Sequence, residues 1–225
     1  MDRENRVVTK SARSWHTHAF QAYLIVATVT FGLLAAFASR VSYFSLDVVI
    51  TRAVQSVNAP WIAQLMWAVS IIGYAPQFDL LIAAIAIVLL VIGLRWEALT
   101  ALVAAGGSAA LAELVKMLVH RPRPAADLVG VAQQFNGYSF PSGHVLTYTA
   151  FFGFLFFLGY TLLKPSFVRM VVLTILGALV TLIGISRIFV GGHWASDVIG
   201  AYLLGSLWLT LSTAIYQWLR NPTPS

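Results

Sequence analysis

The sequence predicts an all-α integral membrane protein, a bundle of six transmembrane helices with short interfacial helices between the first and second spans. Hydrophobic residues make up 59% of the chain and charged residues only 10%, whereas an ordinary soluble domain carries about 25% charged residues. Several apolar runs approach or exceed the roughly 18 to 20 residues that cross a bilayer. No linker or low-complexity tract separates these runs, so residues 1–225 are expected to form a single membrane domain.

The first span is expected at residues 20–39, after a polar segment of residues 1–18 that is rich in Lys and Arg. A cleaved signal peptide is the alternative, because the sequence Ala36-Phe37-Ala38 resembles a cleavage site. The apolar run is longer than the roughly 7 to 15 residues of a signal-peptide core. That length favours a retained helix.

Residues 41–76 have a mixed character, with polar side chains among the apolar ones and prolines at positions 60 and 76. This pattern predicts one or two short helices that lie at the membrane interface. The other five spans are expected at residues 79–94, 97–119, 144–163, 168–186 and 195–218.

The distribution of basic residues indicates how the chain is oriented, because cytoplasmic loops carry an excess of Lys and Arg. With the N-terminus in the cytoplasm, eight of the 14 basic residues lie on the inner side. These are Arg3, Arg6, Lys10, Arg13, Arg95, Lys164, Arg169 and Arg220. Both termini are then expected in the cytoplasm, and the three polar motifs described next are expected on the periplasmic or extracellular face.

Composition excludes enzymes with a cysteine nucleophile and argues against nucleic-acid binding. The chain has no cysteine, so it has neither disulfides nor a thiolate nucleophile. Its net charge is +6, but the basic residues are scattered between apolar spans and do not form one soluble basic face. Nucleic acid is therefore not an expected partner, whereas the bilayer is.

The first polar motif is Lys116, six residues, then Arg123-Pro124, at the end of the third predicted span. Pro122 and Pro124 prevent regular helix there, so the two cations can approach one point from different backbone segments. A lysine is a compact charge and an arginine offers a planar fork, and both suit phosphate oxygens. The alternative is that both residues anchor the helix end at lipid headgroups.

The second motif is Pro141-Ser142-Gly143-His144, directly before a long apolar helix. A helix start exposes unpaired N–H groups and binds phosphate readily. Gly143 permits close approach of the backbone to a ligand, and Ser142 can cap the helix or donate to a phosphate oxygen. An ordinary helix cap beside an interfacial histidine is the alternative.

The third motif is Ser186-Arg187, five residues, His193, three residues, Asp197. The pair Gly191-Gly192 permits a sharp turn. If a helix has begun at His193, that residue and Asp197 share a face. The carboxylate would then fix the imidazole tautomer and leave the other nitrogen free to act as a nucleophile. A histidine–aspartate pair that only stabilises the turn is the alternative.

In combination, the three motifs favour chemistry over structure, because ionisable groups near a membrane are costly and are usually functional. The inventory suits the binding of a phosphate and the cleavage of its ester bond. The apolar surroundings favour a phosphate that is attached to a lipid.

The three motifs together resemble the tripartite signature of the type 2 phosphatidic acid phosphatase superfamily, without a departure at any position, over residues 97–200. The resemblance implies that His193 is the nucleophile, that Asp197 orients it and that His144 is the general acid. It also implies no metal ion and no other cofactor. The phosphoryl oxygens would be held by Lys116, Arg123, Arg187, Ser142 and the backbone of Gly143.

The lipid substrate is left open between a polyprenyl diphosphate, phosphatidic acid, phosphatidylglycerol phosphate and a lipid A phosphate. A lipid phosphotransferase with the same site is a close alternative. A transporter of an anionic substrate is another, although the sequence has no inverted repeat. A vanadium haloperoxidase shares the family's site, but the resemblance implies a soluble fold for those enzymes. The sequence gives no indication of the oligomeric state.

Several polar residues outside the motifs are assigned minor roles. Glu113 is expected to form a structural ion pair with Lys116. His120 and Arg121 are expected to be solvated loop residues. Asp47 and Arg52 are candidates for a gate at the membrane surface, and the segment 125–139 for a determinant of specificity.

Overall fold

The computed structural model describes the backbone of residues 2–220 and the side chains of residues 18–220. The described backbone forms eight helices and no strands. They are α1 (Asp2–Ala38), α2 (Ser45–Gln55), α3 (Pro60–Ile72), α4 (Gln77–Val91), α5 (Arg95–Val119), α6 (Gly143–Leu162), α7 (Phe167–Phe189) and α8 (Ala195–Arg220).

The helices confirm the predicted all-α, multi-pass membrane architecture. Five of them, in α1, α5, α6, α7 and α8, are long and apolar enough to cross a bilayer. The pair α3 and α4, bent by 63° at a short break, makes six when it is counted as one broken span. Helix α4 has 15 residues and rises about 22 Å, which is less than the roughly 30 Å of a hydrocarbon core.

The polar segment that was predicted to precede the first span belongs to the same helix, since α1 begins at Asp2. The side chains of residues 1–17, which were predicted to lie in the cytoplasm, are outside the described part. The predicted end of the domain, at residues 221–225, also lies outside it.

Helix α6 lies at the centre of the bundle and packs against α5, α7 and α8. Small residues allow these helices to approach closely, as is usual in membranes. A Cβ on Gly153 would lie 2.7 Å from the side chain of Leu209, and one on Gly205 would lie 2.9 Å from that of Thr149. This close packing makes α6 a rigid base for the polar residues at its N-terminus.

The three motifs come together because they lie at neighbouring helix ends. Helix α5 ends at Val119, where His120 adopts a left-handed conformation with φ of 54° and the prolines that follow prevent regular helix. Helix α6 begins at Gly143, α7 ends at Phe189 and α8 begins at Ala195. The break between α3 and α4 reaches the same end of the bundle, since Tyr74 contacts Arg187.

Candidate active site

A cavity of about 930 Å³ opens at this end of the bundle. Six of the eight residues that the motifs single out line it, and the other two, Ser142 and Asp197, are fully buried. The six are Lys116, Arg123, Gly143, His144, Arg187 and His193. The three motif cations and both histidines therefore share one cavity.

Lys116 lies beside the start of helix α6. A Cβ on Gly143 would be 3.4 Å from the Lys116 ammonium nitrogen, so this glycine leaves room for the lysine. The ammonium also pairs with Glu113 Oε1 at 2.7 Å, and the predicted structural ion pair is confirmed. Because the Glu113 side chain is 66% exposed and that of Lys116 only 13%, the carboxylate lies at the outer side of the pair.

Arg123 is held by backbone carbonyls on two segments. Its Nη1 donates to the oxygen of Gly192 at 2.8 Å, and its Nε donates to those of Asn136 and Gly137. Burial, and then the charge of Arg187, lower the pKa of the Arg123 guanidinium. The carbonyl ligands stabilise the cation against both effects.

Arg187 is buried on α7 and is held from one side. Its Nη1 donates to the hydroxyls of Ser70 and Tyr74 at 2.9 and 2.8 Å. Its Nε has no partner within the described part of the chain. The ring of Phe135 lies between the two arginines, 4.9 Å from Arg187 Cζ and 5.6 Å from Arg123 Cζ.

His193 has a defined tautomer, assigned from its hydrogen-bond partners. Its Nδ1 lies 2.8 Å from the carbonyl oxygen of Ser139, and a carbonyl can only accept, so Nδ1 carries the hydrogen. The other nitrogen, Nε2, then has a lone pair, and Arg123 Nη1 lies 3.2 Å from it. Burial, followed by the charges of Arg123, Arg187 and Lys116, lowers the pKa of His193 well below its usual value of 6.5. The imidazole is neutral at neutral pH.

The direct hydrogen bond predicted between His193 and Asp197 is absent from this structure. Helix α8 begins at Ala195, so His193 precedes the helix and the two residues do not share a helical face. His193 Nδ1 is 3.7 Å from Asp197 Oδ2, beyond hydrogen-bond range. Asp197 accepts instead from the backbone nitrogen of Trp194 at 2.9 Å and from Arg121 Nη1 at 2.6 Å.

The expectation that Arg121 is a solvated loop residue is wrong. Its side chain is fully buried and bridges Asp197 to Asp47, whose Oδ2 it contacts at 2.8 Å. Asp47 in turn accepts from the backbone nitrogen of Ser196 at 2.9 Å. Asp47 is only 2% exposed, so it does not form a gate at the membrane surface. Arg52 is exposed and donates to the carbonyl of Leu128.

The start of helix α6 presents two polar atoms without partners. Ser142 is the N-cap residue, but its side chain makes no capping bond, and its Oγ has no partner among the described residues. The same holds for Nε2 of His144, whose ring meets Tyr74 edge-on at 4.7 Å. The N–H groups of the first helical turn lack helical acceptors and carry the positive end of the helix dipole. This terminus can therefore bind an anion.

Comparison with known proteins identifies the family. The sequence profile of the PAP2 superfamily matches residues 97–221, which include all three motifs. The chain belongs to the PAP2 superfamily. This membership confirms the resemblance seen in the motifs, and the protein is a phosphatase.

One curated relative is similar in sequence and two solved structures are similar in fold. The PAP2 chain is 29% identical to phosphatidylglycerophosphatase B of Bacillus subtilis (strain 168) over 178 residues, which cover 79% of this chain and 86% of that protein. It is similar in fold to the crystal structure of a transmembrane PAP2-type phosphatidylglycerolphosphate phosphatase from Bacillus subtilis. The TM-score is 0.75 and the sequence identity is 24%, and the match covers 89% of this chain and 98% of the other. For Aquifex aeolicus LpxE the TM-score is 0.63 at 22% identity, over 77% and 98% of the chains.

Some cavity residues of this PAP2 phosphatase lie outside the motifs. Tyr74, at the break between α3 and α4, was not predicted. The segment 125–139, a candidate determinant of specificity, borders the cavity through Gln133, Gln134, Phe135 and Asn136. The sequence signal that could have identified these loop residues as cavity lining is their cluster of aromatic and amide side chains between two motifs.

The rest of the cavity wall is mostly apolar, apart from Thr147 on α6 and the carboxylates of Asp79 on α4 and Glu113 on α5. Helix α4 contributes Phe78, Ile82 and Ala83, and helix α5 contributes mainly small residues such as Ala109 and Ala110. The polar end and the apolar wall belong to one continuous space. Among side chains 18–220, no group of three or more His, Asp or Glu residues is arranged to hold a metal ion.

Proposed function

We propose that this PAP2 phosphatase hydrolyses a phosphate ester or diphosphate on a membrane lipid, through a phosphohistidine on His193 and without a metal ion. The observation that carries the proposal is the composition of the cavity. One end holds three cations and two histidines, and the wall formed by α4 and α5 is mostly apolar, with Asp79 and Glu113 as its carboxylates. Such a space matches a ligand with an anionic head and an apolar body.

The phosphoryl group would bind between Lys116, Arg123 and Arg187, near the N-terminus of α6. Phosphoryl transfer depends mainly on positioning and on pre-placed charge, because the transition state spreads negative charge over the equatorial oxygens. Ser142 Oγ and the Gly143 backbone would supply further donors. Three fixed cations can supply the stabilisation that metal ions supply in other phosphatases.

His193 would attack phosphorus with Nε2. The Ser139 carbonyl keeps the hydrogen on Nδ1, and Asp197, 3.7 Å from Nδ1, would stabilise the positive charge that develops on the ring. The bond from Nε2 to phosphorus forms while the bond to the leaving oxygen breaks. His144 would donate a proton to that oxygen, which leaves as an alcohol or as a phosphorylated lipid.

His144, now neutral, would take a proton from a water molecule that attacks the phosphohistidine. The N–P bond breaks, inorganic phosphate leaves and His193 returns to its neutral form. If an acceptor other than water entered, the same intermediate would transfer the phosphoryl group. Labelled lipid in place of free phosphate would then be the product.

Phosphatidylglycerol phosphate is the first substrate to test, because the named activity of the Bacillus subtilis relative acts on it. Phosphatidic acid, a polyprenyl diphosphate and a lipid A phosphate complete the panel. Phosphate release by the purified protein in detergent should persist in excess chelator and should be inhibited by orthovanadate, which copies five-coordinate phosphorus. Loss of turnover in chelator, restored by magnesium, would contradict the metal-free mechanism.

Covalent labelling tests the nucleophile. Substrate labelled with ³²P should label the wild type transiently, and His193→Ala should abolish this labelling. His18→Ala is the control, because His18 is exposed on α1 and lies outside the cavity. Labelling that persists in His193→Ala would show that another residue is the nucleophile.

We also propose that the whole chain acts as one domain with both termini in the cytoplasm and the cavity at the outer face. The natural chain lacks cysteine, so single cysteines report orientation directly. Ala126→Cys, on the cavity side, should react with an impermeant maleimide in intact cells. Lys164→Cys, between α6 and α7, should react only after lysis, and the reverse pattern would invert the topology.

A further inference from the structure

Tyr74 lies at the break between α3 and α4, outside all three motifs. It lines the same cavity as the motif residues. The ring meets His144 edge-on at 4.7 Å, and the guanidinium carbon of Arg187 is 5.5 Å from its centroid. The break between α3 and α4 therefore brings an aromatic hydroxyl between a motif histidine and a motif arginine.

The hydroxyl of Tyr74 accepts two hydrogen bonds. Arg187 Nη1 donates to it at 2.8 Å, and Gln133 Nε2 donates to it at 2.8 Å. A phenol oxygen has two lone pairs and one hydrogen. Both lone pairs are occupied, and the hydrogen has no acceptor in the described part of the chain. It remains available to a ligand oxygen in the cavity.

The surroundings of the phenol suit a group that donates a hydrogen bond to an anion. Arg187 is oriented by Ser70 on the last turn of α3 and by Tyr74, and its Nε has no partner among the described residues. An oxygen that binds to Arg187 comes close to the phenol that holds this arginine. Two donated hydrogen bonds, one of them from a cation, also polarise the phenol O–H and strengthen the bond that it can donate.

We propose that Tyr74 is a further phosphate-binding residue, whose O–H donates to a phosphoryl oxygen next to the one that Arg187 binds. The inference rests on the proposed function, because it needs a phosphoryl group in this cavity. It gives the break between α3 and α4 a role in the chemistry. A continuous helix through residues 73–76 would not place this hydroxyl at the end of the cavity.

The test uses Tyr74→Phe, which retains the ring and its contacts and removes only the hydroxyl. The probes are orthovanadate, measured by calorimetric binding to the detergent-solubilised protein, and the lipid phosphate that the wild type hydrolyses fastest. Loss of one pre-placed donor should weaken vanadate binding about 10-fold and lower kcat/KM by about 10- to 100-fold. Tyr138→Phe, an exposed tyrosine on the same side, is the control and should match the wild type.

Two further variants separate direct contact from positioning. If Tyr74 acts only by holding Arg187, Tyr74→Phe will not weaken vanadate binding further in an Arg187→Ala background, and the proposal is overturned. Direct donation predicts a further loss of about threefold or more there. Gln133→Leu removes the uncharged one of the two donated bonds, so it should weaken vanadate binding by less than Tyr74→Phe does. A loss equal to that of Tyr74→Phe would assign the hydroxyl to holding the loop.

The experiment also distinguishes this inference from the proposed function. A wild-type protein that neither binds vanadate nor releases phosphate from any lipid would refute the proposed function. A wild-type protein that does both, with Tyr74→Phe unchanged in both assays, would refute only the role of Tyr74.

Discussion

Replacement of Arg121 by methionine should destabilise the fold more than any other arginine substitution at this end of the bundle. The guanidinium is fully buried between the carboxylates of Asp47 and Asp197, whose side chains are 3% and 0% exposed. Methionine fills much of the volume but leaves both carboxylates without a counter-charge. Removal of one partner from a buried ion pair costs about 3–5 kcal/mol.

The expected size of the effect follows from chain length. For a protein of 225 residues, 1 kcal/mol corresponds to about 2–4 °C in Tm, so the midpoint should fall by about 6–20 °C. Asp47 retains its bonds from Ser196 and from the Phe44 backbone nitrogen, which favours the lower part of that range. Intrinsic fluorescence during heating, in detergent, measures the midpoint.

Arg52→Met is the matched control, because Arg52 is exposed and donates only to a backbone carbonyl. It should lower the free energy of unfolding by less than about 1 kcal/mol. The double variant Asp47→Asn/Arg121→Met should recover part of the loss, since one of the two unpaired charges is gone. Equal midpoints for Arg121→Met and Arg52→Met would refute the assignment of a buried ion-pair network.

Two further predictions concern the histidines. Arg123→Gln removes a cation 3.2 Å from His193 Nε2. Because that cation adds to burial in lowering the His193 pKa, the pKa should rise and the acidic limb of the kcat/KM profile should move to higher pH. An unmoved limb would show that the acidic limb does not report the titration of His193. Gly73→Ala would place a Cβ in overlap with His144 Cδ2 and 3.0 Å from Tyr148 Cε2, so the His144 ring must move and kcat should fall at least about 10-fold. Gly32→Ala is the control, because its Cβ meets nothing within 4 Å and Gly32 does not line the cavity. Equal activity of the two alanine variants would contradict the contact with His144.

The identity of the candidate site residues could be predicted because polar groups are rare in this chain. With only 10% charged residues, each charge near an apolar run is costly, so motif spacing identifies Lys116, Arg123 and Arg187 without a structure. Their placement at the same end of the bundle also follows from sequence, because each motif sits at a helix end and successive spans alternate in direction.

The roles within the sequence Arg121-Pro122-Arg123-Pro124 could not be predicted. Both arginines are adjacent to a proline, and spacing alone does not show which side chain faces the cavity. That is decided by the left-handed turn at His120 and by Asp47, which lies 74 positions earlier in the chain. The cavity receives Arg123, and the core receives Arg121.

The partner of His193 was also beyond sequence reasoning. The spacing of four suggested Asp197, but the helix begins two residues after His193, and a backbone carbonyl from Ser139 takes the place of the carboxylate. Every residue has a carbonyl, so no residue type marks the one that orients a histidine.

Composition and motif spacing by themselves determined that this protein is a helical membrane protein of the PAP2 kind with three cations and two histidines near one membrane face. Those features are local, because hydropathy and spacing are read along the chain. The tertiary structure decided which arginine is structural, which oxygen orients His193 and that Tyr74 reaches the cavity. These outcomes depend on contacts between residues tens of positions apart, and only the packing of the helices brings such residues together.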